Sequence, residues 1–156
     1  MKKFKRNKGI LFWITGLSGS GKTSIAEKIK NKIIKKYGPT LTLSGDDLRT
    51  IFNYKKFSRK SRIQYALSYS KFCKYITNQN INVILSTVSL FHKVRNWNRK
   101  KINNYVEIYI ETDSKKVFKK KNKYFYKGNH KNVMGKNLKA EFPKYPDIKI
   151  KNDFTK

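Results

Sequence analysis

The residues Gly16–Thr23 constrain the fold of this chain more than any other stretch, because they match the pattern G-x-x-x-x-G-K-[ST] in full. The apolar run Ile10–Ile14 precedes the match and is typical of a buried parallel strand. After the match, apolar residues recur at helical spacing as far as Tyr37. This order of strand, glycine-rich loop and helix predicts a loop that binds phosphate groups through its N–H groups and the helix N-terminus.

The chemistry of this pattern assigns an expected role to most residues of the loop. Lys22 is expected to reach the β- and γ-phosphates of ATP and to take part in catalysis, and the Thr23 hydroxyl is expected to hold Mg²⁺. The sequence therefore predicts ATP and Mg²⁺ as cofactors. The expected ATP phosphate-binding residues are Gly16, Ser18, Gly19, Ser20, Gly21, Lys22 and Thr23.

The net charge of +29 at pH 7 raises the question of a nucleic-acid partner. The excess is nearly all lysine, since only six of the 38 basic residues are arginine, and the lysines are scattered along the chain. Scattered charges favour a solvated surface over a nucleic-acid-binding stripe, so no stable nucleic-acid partner is expected.

Length and cysteine content set further limits. The length of 156 residues predicts one domain, residues 1–156. Cys73 is the only cysteine, which excludes an intrachain disulfide and is typical of a reducing compartment. Every apolar run is shorter than the ~20 residues of a membrane helix, so we expect no membrane partner and a cytoplasmic location.

Strand and helix patterns alternate along the chain, which predicts an α/β fold with a P-loop NTPase-type parallel sheet and helices on both faces. A polar turn is expected at 44–47, and Ser58 is the expected N-cap of the longest helix. Residues 120–145 show little periodicity and are expected to form a C-terminal lid over the nucleotide. The predicted strands are 10–15, 40–43, 83–87 and 105–110, and the predicted helices are 22–37, one beginning after 58, about 91–102, and 114–120.

Asp46 and Asp47 are adjacent in a chain with only nine acidic residues, and they follow the second predicted strand. Phosphoryl transfer to a hydroxyl needs a group that orients or deprotonates the attacking oxygen, and usually one that holds Mg²⁺. Asp46 is the candidate for both roles; an Asx-type turn without chemistry is the alternative. Arg49 and Arg62 are candidates for binding a phosphate or sulfate group, because arginine does so bidentately. We expect Arg59, Arg95 and Arg99 at the surface.

The residues in these patterns resemble the adenylyl-sulfate (APS) kinases along nearly the whole chain. The segment from Phe12 to Thr23 resembles their F-W-x-T-G-L-S-G-S-G-K-T start, which is more specific than a generic phosphate-binding loop. Ser44 to Arg49 is similar to D-G-D-N-x-R. Further similar positions are Phe57-Ser58 with Arg62, Ser86 to Ser89 with Arg95, Lys123 with Tyr126, and Gly135, Glu141, Pro143 and Pro146.

The resemblance implies a kinase that moves the γ-phosphate of ATP to the ribose 3′-hydroxyl of a small-molecule nucleotide. By this resemblance Asp46 matches the catalytic aspartate, and the acceptor-binding residues are Arg49, Arg62, Ser89 and the lid residue Lys123. Related kinases are often dimers, which leaves a homodimer open.

The departures from the family pattern lie on the acceptor side. Ser44 replaces the first Asp of D-G-D, Tyr65 stands where the family has Asn, and Leu90 replaces a proline. At 139–141 the chain lacks the aromatic that would cover the base. One relative of this kind acts on cytidine diphosphoramidate, in the decoration of bacterial capsules, so the resemblance leaves two acceptors open, cytidine diphosphoramidate and APS.

Three other functions remain open at the level of sequence. One is a kinase of a non-nucleotide small molecule, and another is a nucleic-acid-binding protein that uses ATP as a switch. The third is a catalytically weak binding module. No acidic residue ends the strand at Thr87, which argues against a motor ATPase or a GTPase.

Overall fold

The computed structural model describes residues 2–119 and 130–154. It confirms the predicted α/β class: the strands form one parallel sheet in the order β2-β3-β1-β4-β5. The elements in chain order are β1 Leu11–Thr15, α1 Lys22–Tyr37, β2 Thr40–Ser44, α2 Gly45–Ile51, α3 Arg59–Thr77, β3 Asn82–Thr87, α4 His92–Lys101, β4 Tyr105–Glu111, α5 Ser114–Lys119 and β5 Ile148–Lys151.

Successive side chains of β1 point to opposite faces of the sheet, and each face carries a hydrophobic core. Leu11 and Trp13 belong to the cluster that packs against α3 and α4. Phe12 and Ile14 point to the other face, where α1 covers them with Ala26 and other residues. Helices therefore cover both faces, as the sequence predicts.

Cys73 lies in the first of these cores and is fully buried on α3. Burial raises the pKa of its thiol to about 12, so the group stays protonated and unreactive at neutral pH.

The prediction of a turn at 44–47 is wrong, because these residues end β2 and begin α2. The Ser44 hydroxyl accepts a hydrogen bond from the Asp47 N–H at 3.0 Å and donates one to the Asp47 carboxylate at 2.7 Å. This reciprocal cap satisfies helix N-terminal groups, so the polar residues start a helix where a loop was expected.

The strand β5 was not predicted. Its lysines alternate with isoleucines, but three of its four residues are exposed, and it is the last strand in the sheet order, paired with β4. After β5, Asn152 Nδ2 donates to the Ser20 carbonyl at 2.9 Å, so this end of the chain contacts the glycine-rich loop. Within the part of the chain that the structure describes, no helix has the length and apolar character needed to cross a bilayer.

Candidate active site

A cavity of about 620 Å³ opens at the carboxyl ends of β1, β2 and β3, where ligands bind in parallel α/β sheets. Its walls come from the glycine-rich loop, α2, one face of α3, the loop after β3 and residues 130–134. The predicted site residues that line it are Ser18, Gly19, Gly21, Lys22, Thr23, Asp46, Arg49, Arg62 and Ser89.

Two glycines explain how the loop keeps its backbone close to this space. Gly21 immediately precedes α1 and has φ +94°, a left-handed conformation that favours glycine. A Cβ atom on Gly16 would lie 2.7 Å from the carbonyl oxygen of Ile110, so only glycine lets the loop pass under the end of β4. Gly16 and Ser20 lie behind the cavity wall, and Ser20 is fully buried.

Lys22 is 9% exposed, and its Nζ donates to the Leu17 carbonyl of the same loop at 2.7 Å. The ammonium group is therefore held at the loop, while the exposed Thr23 hydroxyl follows at the first turn of α1. Backbone amides, a helix N-terminus and an ammonium form a donor set that fits a polyphosphate. The Thr23 hydroxyl and the Asp46 carboxylate are oxygen ligands of the kind that Mg²⁺ prefers.

The adjacent acids Asp46 and Asp47 have different surroundings. The Asp47 carboxylate accepts a hydrogen bond from the hydroxyl of Ser44, the N-cap residue of α2. Asp46 lines the cavity. A Cβ atom on Gly45 would lie 2.8 Å from Thr87 Oγ1, so α2 packs tightly on the end of β3 and places Asp46 at the cavity rim.

Arg49 and Arg62 flank the ring of Phe57, with their Cζ atoms 4.4 Å and 5.4 Å from its centroid. Arg49 Nη1 donates to the carbonyls of Tyr54 and Lys56, each at 3.2 Å. Arg62 donates to the carbonyls of Phe57 at 3.0 Å and Asn132 at 2.9 Å. Both guanidinium groups are therefore fixed in place by neutral partners, which leaves their positive charge available to an anion.

The pKa of Arg62 is lowered from its ordinary value, first by burial and then by the positive charge of Arg49, against the opposing effect of Asp46. Two cations held close together repel each other, and an anionic ligand between them relieves this repulsion. This arrangement is suited to a phosphate or sulfate group.

Ser89 follows β3 and is 7% exposed. Its hydroxyl has no hydrogen-bond partner among residues 2–119 and 130–154, although it lies at the cavity. Its backbone is held on two sides, because its N–H donates to Thr87 Oγ1 at 3.4 Å and its carbonyl accepts from Arg95 Nη1 at 3.5 Å.

The expectation that Arg95 lies at the surface is wrong, since Arg95 is 3% exposed. Its Nε lies 3.8 Å from a carboxylate oxygen of Glu107, which is equally buried on β4. Arg95 also donates to the carbonyl of Glu141 and contacts His92 Nδ1 at 2.9 Å. A charged side chain is buried here because an opposite charge on the neighbouring strand compensates it.

Arg59 and Arg99 keep more of their side chains exposed, 39% and 37%. Arg59 pairs with Glu141 at 2.7 Å. The second oxygen of Glu141 accepts from the His92 N–H at the start of α4, also at 2.7 Å. Glu141 therefore joins the C-terminal segment to α3 and α4.

Of the expected lid at 120–145, residues 120–129 lie outside the described residues, and with them the predicted acceptor-binding residue Lys123. The described remainder contributes one cavity wall through residues 130–134. Val133 and Met134 are buried in the larger core, which anchors this wall.

Sequence reasoning did not predict an aromatic cluster beside the two arginines, formed by Tyr54, Tyr65 and Tyr69; it noted Tyr65 only as a departure from the family pattern. The rings of Tyr54 and Tyr65 stack with centroids 4.0 Å apart and planes 6° from parallel. Tyr65 and Tyr69 also line the cavity. Arg62, Tyr65 and Tyr69 are spaced so that their side chains lie on one face of α3. This spacing was the signal in the sequence that could have identified the two tyrosines.

Comparison with known proteins finds relatives that match nearly the whole chain. The family model for adenylylsulphate kinase matches residues 8–151. A cytidine diphosphoramidate kinase of Campylobacter jejuni subsp. jejuni is 37% identical over 151 residues, which cover 94% of this chain and 88% of the relative. An adenylyl-sulfate kinase of Clostridium acetobutylicum is 32% identical over 155 residues, covering 96% of this chain and 78% of the relative.

Among solved structures, the APS kinase of Mycobacterium tuberculosis in complex with AMPPNP and APS has the same fold. Its TM-score is 0.83 at 24% identity, and the match covers 95% of this chain and 91% of that one. The chain belongs to the adenylylsulphate kinase family, and it is a nucleotide kinase, a phosphotransferase with an alcohol group as acceptor.

Proposed function

We propose that this chain transfers the γ-phosphate of ATP to the ribose 3′-hydroxyl of cytidine diphosphoramidate. The observation that carries the proposal is one cavity lined by Lys22 together with Asp46 and Arg49 from α2 and Arg62 from α3. The 37% identity to a cytidine diphosphoramidate kinase, over nearly the full length, supports the choice of acceptor.

Two of the departures from the family pattern, Ser44 and Tyr65, line the cavity. Tyr65, which replaces the family's Asn, stacks on Tyr54, and its hydroxyl accepts from the Lys56 N–H at 3.3 Å. A flat aromatic ring fixed in this way changes the shape of the acceptor side. The phosphate-binding loop follows the family pattern without departure. This contrast favours an unchanged donor and a changed acceptor.

Catalysis in this proposal is mainly positioning and neutralisation of charge. Lys22 and the loop amides bind the β- and γ-phosphates, and Thr23 and Asp46 would hold Mg²⁺, which supplies charge neutralisation when bound. Asp46 orients the 3′-hydroxyl and accepts its proton as the 3′-oxygen forms a bond to the γ-phosphorus. The bond from that phosphorus to the β-γ bridging oxygen breaks, and ADP leaves with the electron pair.

Arg49 and Arg62 bind the anionic part of the acceptor, and the hydroxyl of Ser89 adds a hydrogen bond. The pair of cations beside Phe57 suits the charged diphosphoramidate group. Lys123 remains a proposed contact from the lid.

Locating the new phosphate tests the proposal. After incubation with MgATP and cytidine diphosphoramidate, the product's new phosphorus should couple to the ribose H3′ in a phosphorus–proton NMR spectrum. A phosphate on the 2′-oxygen or on the phosphoramidate nitrogen would overturn the assignment. Asp46→Asn enzyme, incubated in parallel, controls for spontaneous transfer.

A further inference from the structure

Tyr69 has a buried hydroxyl that the proposed mechanism does not use. The residue is 4% exposed, yet it lines the cavity. Its hydroxyl has no hydrogen-bond partner within the described ranges, 2–119 and 130–154. Burying a hydroxyl without a partner is costly, so such a group calls for a partner that arrives later.

The ring of Tyr69 is fixed by its neighbours. It stacks on Phe52 at 6.2 Å with planes 20° apart, and it lies 6.1 Å from the ring of Tyr54. These ring contacts fix the position of the hydroxyl, which has no hydrogen bond of its own in the described part of the chain. Packing therefore explains the ring, and it leaves the polar atom unexplained.

The charges around the hydroxyl indicate what it would bind. The pKa of Tyr69 is raised to about 12, chiefly by burial; the positive charge of Arg49 lowers it, and Tyr54 and Asp46 contribute to the rise. The phenol is therefore protonated at neutral pH and available as a donor. Arg62, on the same face of α3, adds a second positive charge at the same cavity. A donor beside two cations suits an anionic oxygen.

Ser89, which follows β3 at the same cavity, presents the same situation. Its hydroxyl is also buried, lines the cavity and has no partner in the described part of the chain. Two unpartnered hydroxyls and two arginines around one space fit a ligand with several oxygens. Ser89 was expected from the family resemblance, whereas the sequence analysis gave Tyr69 no role.

We propose that Tyr69 is a further acceptor-binding residue, whose hydroxyl donates a hydrogen bond to a phosphoryl oxygen of the acceptor nucleotide. This inference rests on the proposed function only for the identity of the nucleotide. Cytidine diphosphoramidate and APS both carry a nucleoside phosphoryl group, so the contact is expected with either acceptor.

The test is the variant Tyr69→Phe, which keeps the ring and its stacking on Phe52. Loss of one hydrogen bond to a charged group should raise the acceptor KM by about tenfold or more, with the KM for ATP unchanged. The melting temperature should stay the same or rise, since a buried unpartnered hydroxyl is removed. Tyr75→Phe, at a 69% exposed position on the same helix, is the matched control and should leave both KM values unchanged.

A second measurement assigns the atom that is bound. The dissociation constants of CMP and cytidine are compared in the presence of ADP. Tyr69→Phe should weaken CMP binding and leave cytidine binding unchanged, because only CMP has the phosphoryl oxygen. Equal weakening of both ligands would overturn the phosphoryl contact.

The outcomes separate the two proposals. If the wild-type enzyme phosphorylates APS and not cytidine diphosphoramidate, the proposed function fails, and the KM comparison is made with APS. If wild type and Tyr69→Phe have equal KM values for the acceptor that is used, the inference about Tyr69 is wrong, with the proposed function untouched. If the wild-type enzyme uses neither acceptor, both proposals fall.

Discussion

The guanidinium of Arg49 lies over the ring of Phe57, with Cζ 4.4 Å from the ring centroid, and the Tyr65 ring is 5.5 Å from the same atom. Cation–π contact and the two backbone carbonyls that Arg49 binds hold the group in one orientation. A guanidinium fixed in this way needs little reordering when an anion binds. The aromatic rings of Phe57 and Tyr65 thus position the guanidinium group that is expected to bind the anionic part of the acceptor.

Arg49→Lys tests this arrangement, because lysine keeps the charge and loses the planar fork and the stacking. We expect the acceptor KM to rise by about tenfold or more and the KM for ATP to stay the same. Steady-state kinetics with each substrate varied in turn would measure both values. Arg6→Lys, at an exposed position, is the control. An acceptor KM equal to that of wild type would show that charge alone is sufficient.

Asp46→Asn should lower kcat on the order of 10²-fold or more, since the amide is a poor proton acceptor. Asp47→Asn is the matched control, because the Asp47 carboxylate is occupied by a hydrogen bond from the hydroxyl of Ser44, the N-cap residue of α2. The control should retain most of its activity and lose only stability, by about 1 kcal/mol or less. Comparable rate losses in the two variants would contradict the assignment of Asp46 as the base.

Lys22→Ala should also lower kcat on the order of 10²-fold or more, because charge stabilisation of the transferring phosphate is lost. Lys28→Ala, an exposed position on the same helix, should have the wild-type rate. Circular dichroism would verify that both variants fold. A normal rate in folded Lys22→Ala would remove the lysine from the mechanism.

The fold was predictable in its centre and less so at its edges. β1, β3 and β4 are buried and largely apolar, and α1 ends at Tyr37 as expected, so local pattern and tertiary structure agree there. β5 lacks such a run, because an edge strand in this position is largely exposed. The start of α2 depends on the reciprocal contact between Ser44 and Asp47, which competes with a turn made from the same residues.

The site was predictable where a motif carries it. Lys22, Asp46 and Arg62 fall on recognisable patterns, and all three line one cavity. Arg95 could not be placed from sequence, because its burial depends on Glu107, which lies on a different element and is distant in the sequence. Tyr69 was missed since an aromatic residue at helical spacing is typical of an ordinary core position.

The pair Arg95 and Glu107 leads to a prediction on stability. Arg95→Met should lower the free energy of unfolding by about 3 kcal/mol, because it leaves a buried carboxylate with less compensation. Arg99 contacts the same carboxylate at 3.4 Å from a more exposed position. Arg99→Met should therefore lower the free energy of unfolding by about 1 kcal/mol or less. Urea unfolding monitored by fluorescence measures both. Equal losses would show that burial of Arg95 has no energetic consequence.

Glu141 leads to a prediction on pH dependence. Burial raises the pKa of Glu141, but the His92 N–H and the positive charge of Arg59 outweigh it, and the net pKa lies below the ordinary value of 4.5. The folded state thus favours the carboxylate, so its stabilisation is complete above pH 4.5 and is lost as the pH falls through the folded-state value. Glu141→Gln should be less stable than wild type at pH 7, by about 1 kcal/mol or less, and this difference should shrink below pH 4.5. A difference that is constant from pH 7 to pH 3 would contradict the account.

The most direct test of the central claim is coupled ADP release with MgATP and the two acceptors, cytidine diphosphoramidate and APS, measured side by side. The account predicts a kcat/KM for cytidine diphosphoramidate at least about tenfold above that for APS, because the acceptor wall has changed while the phosphate-binding loop has not. A preference for APS would contradict the account, and it would mean that Tyr65 and the other departures leave the acceptor of the family in place.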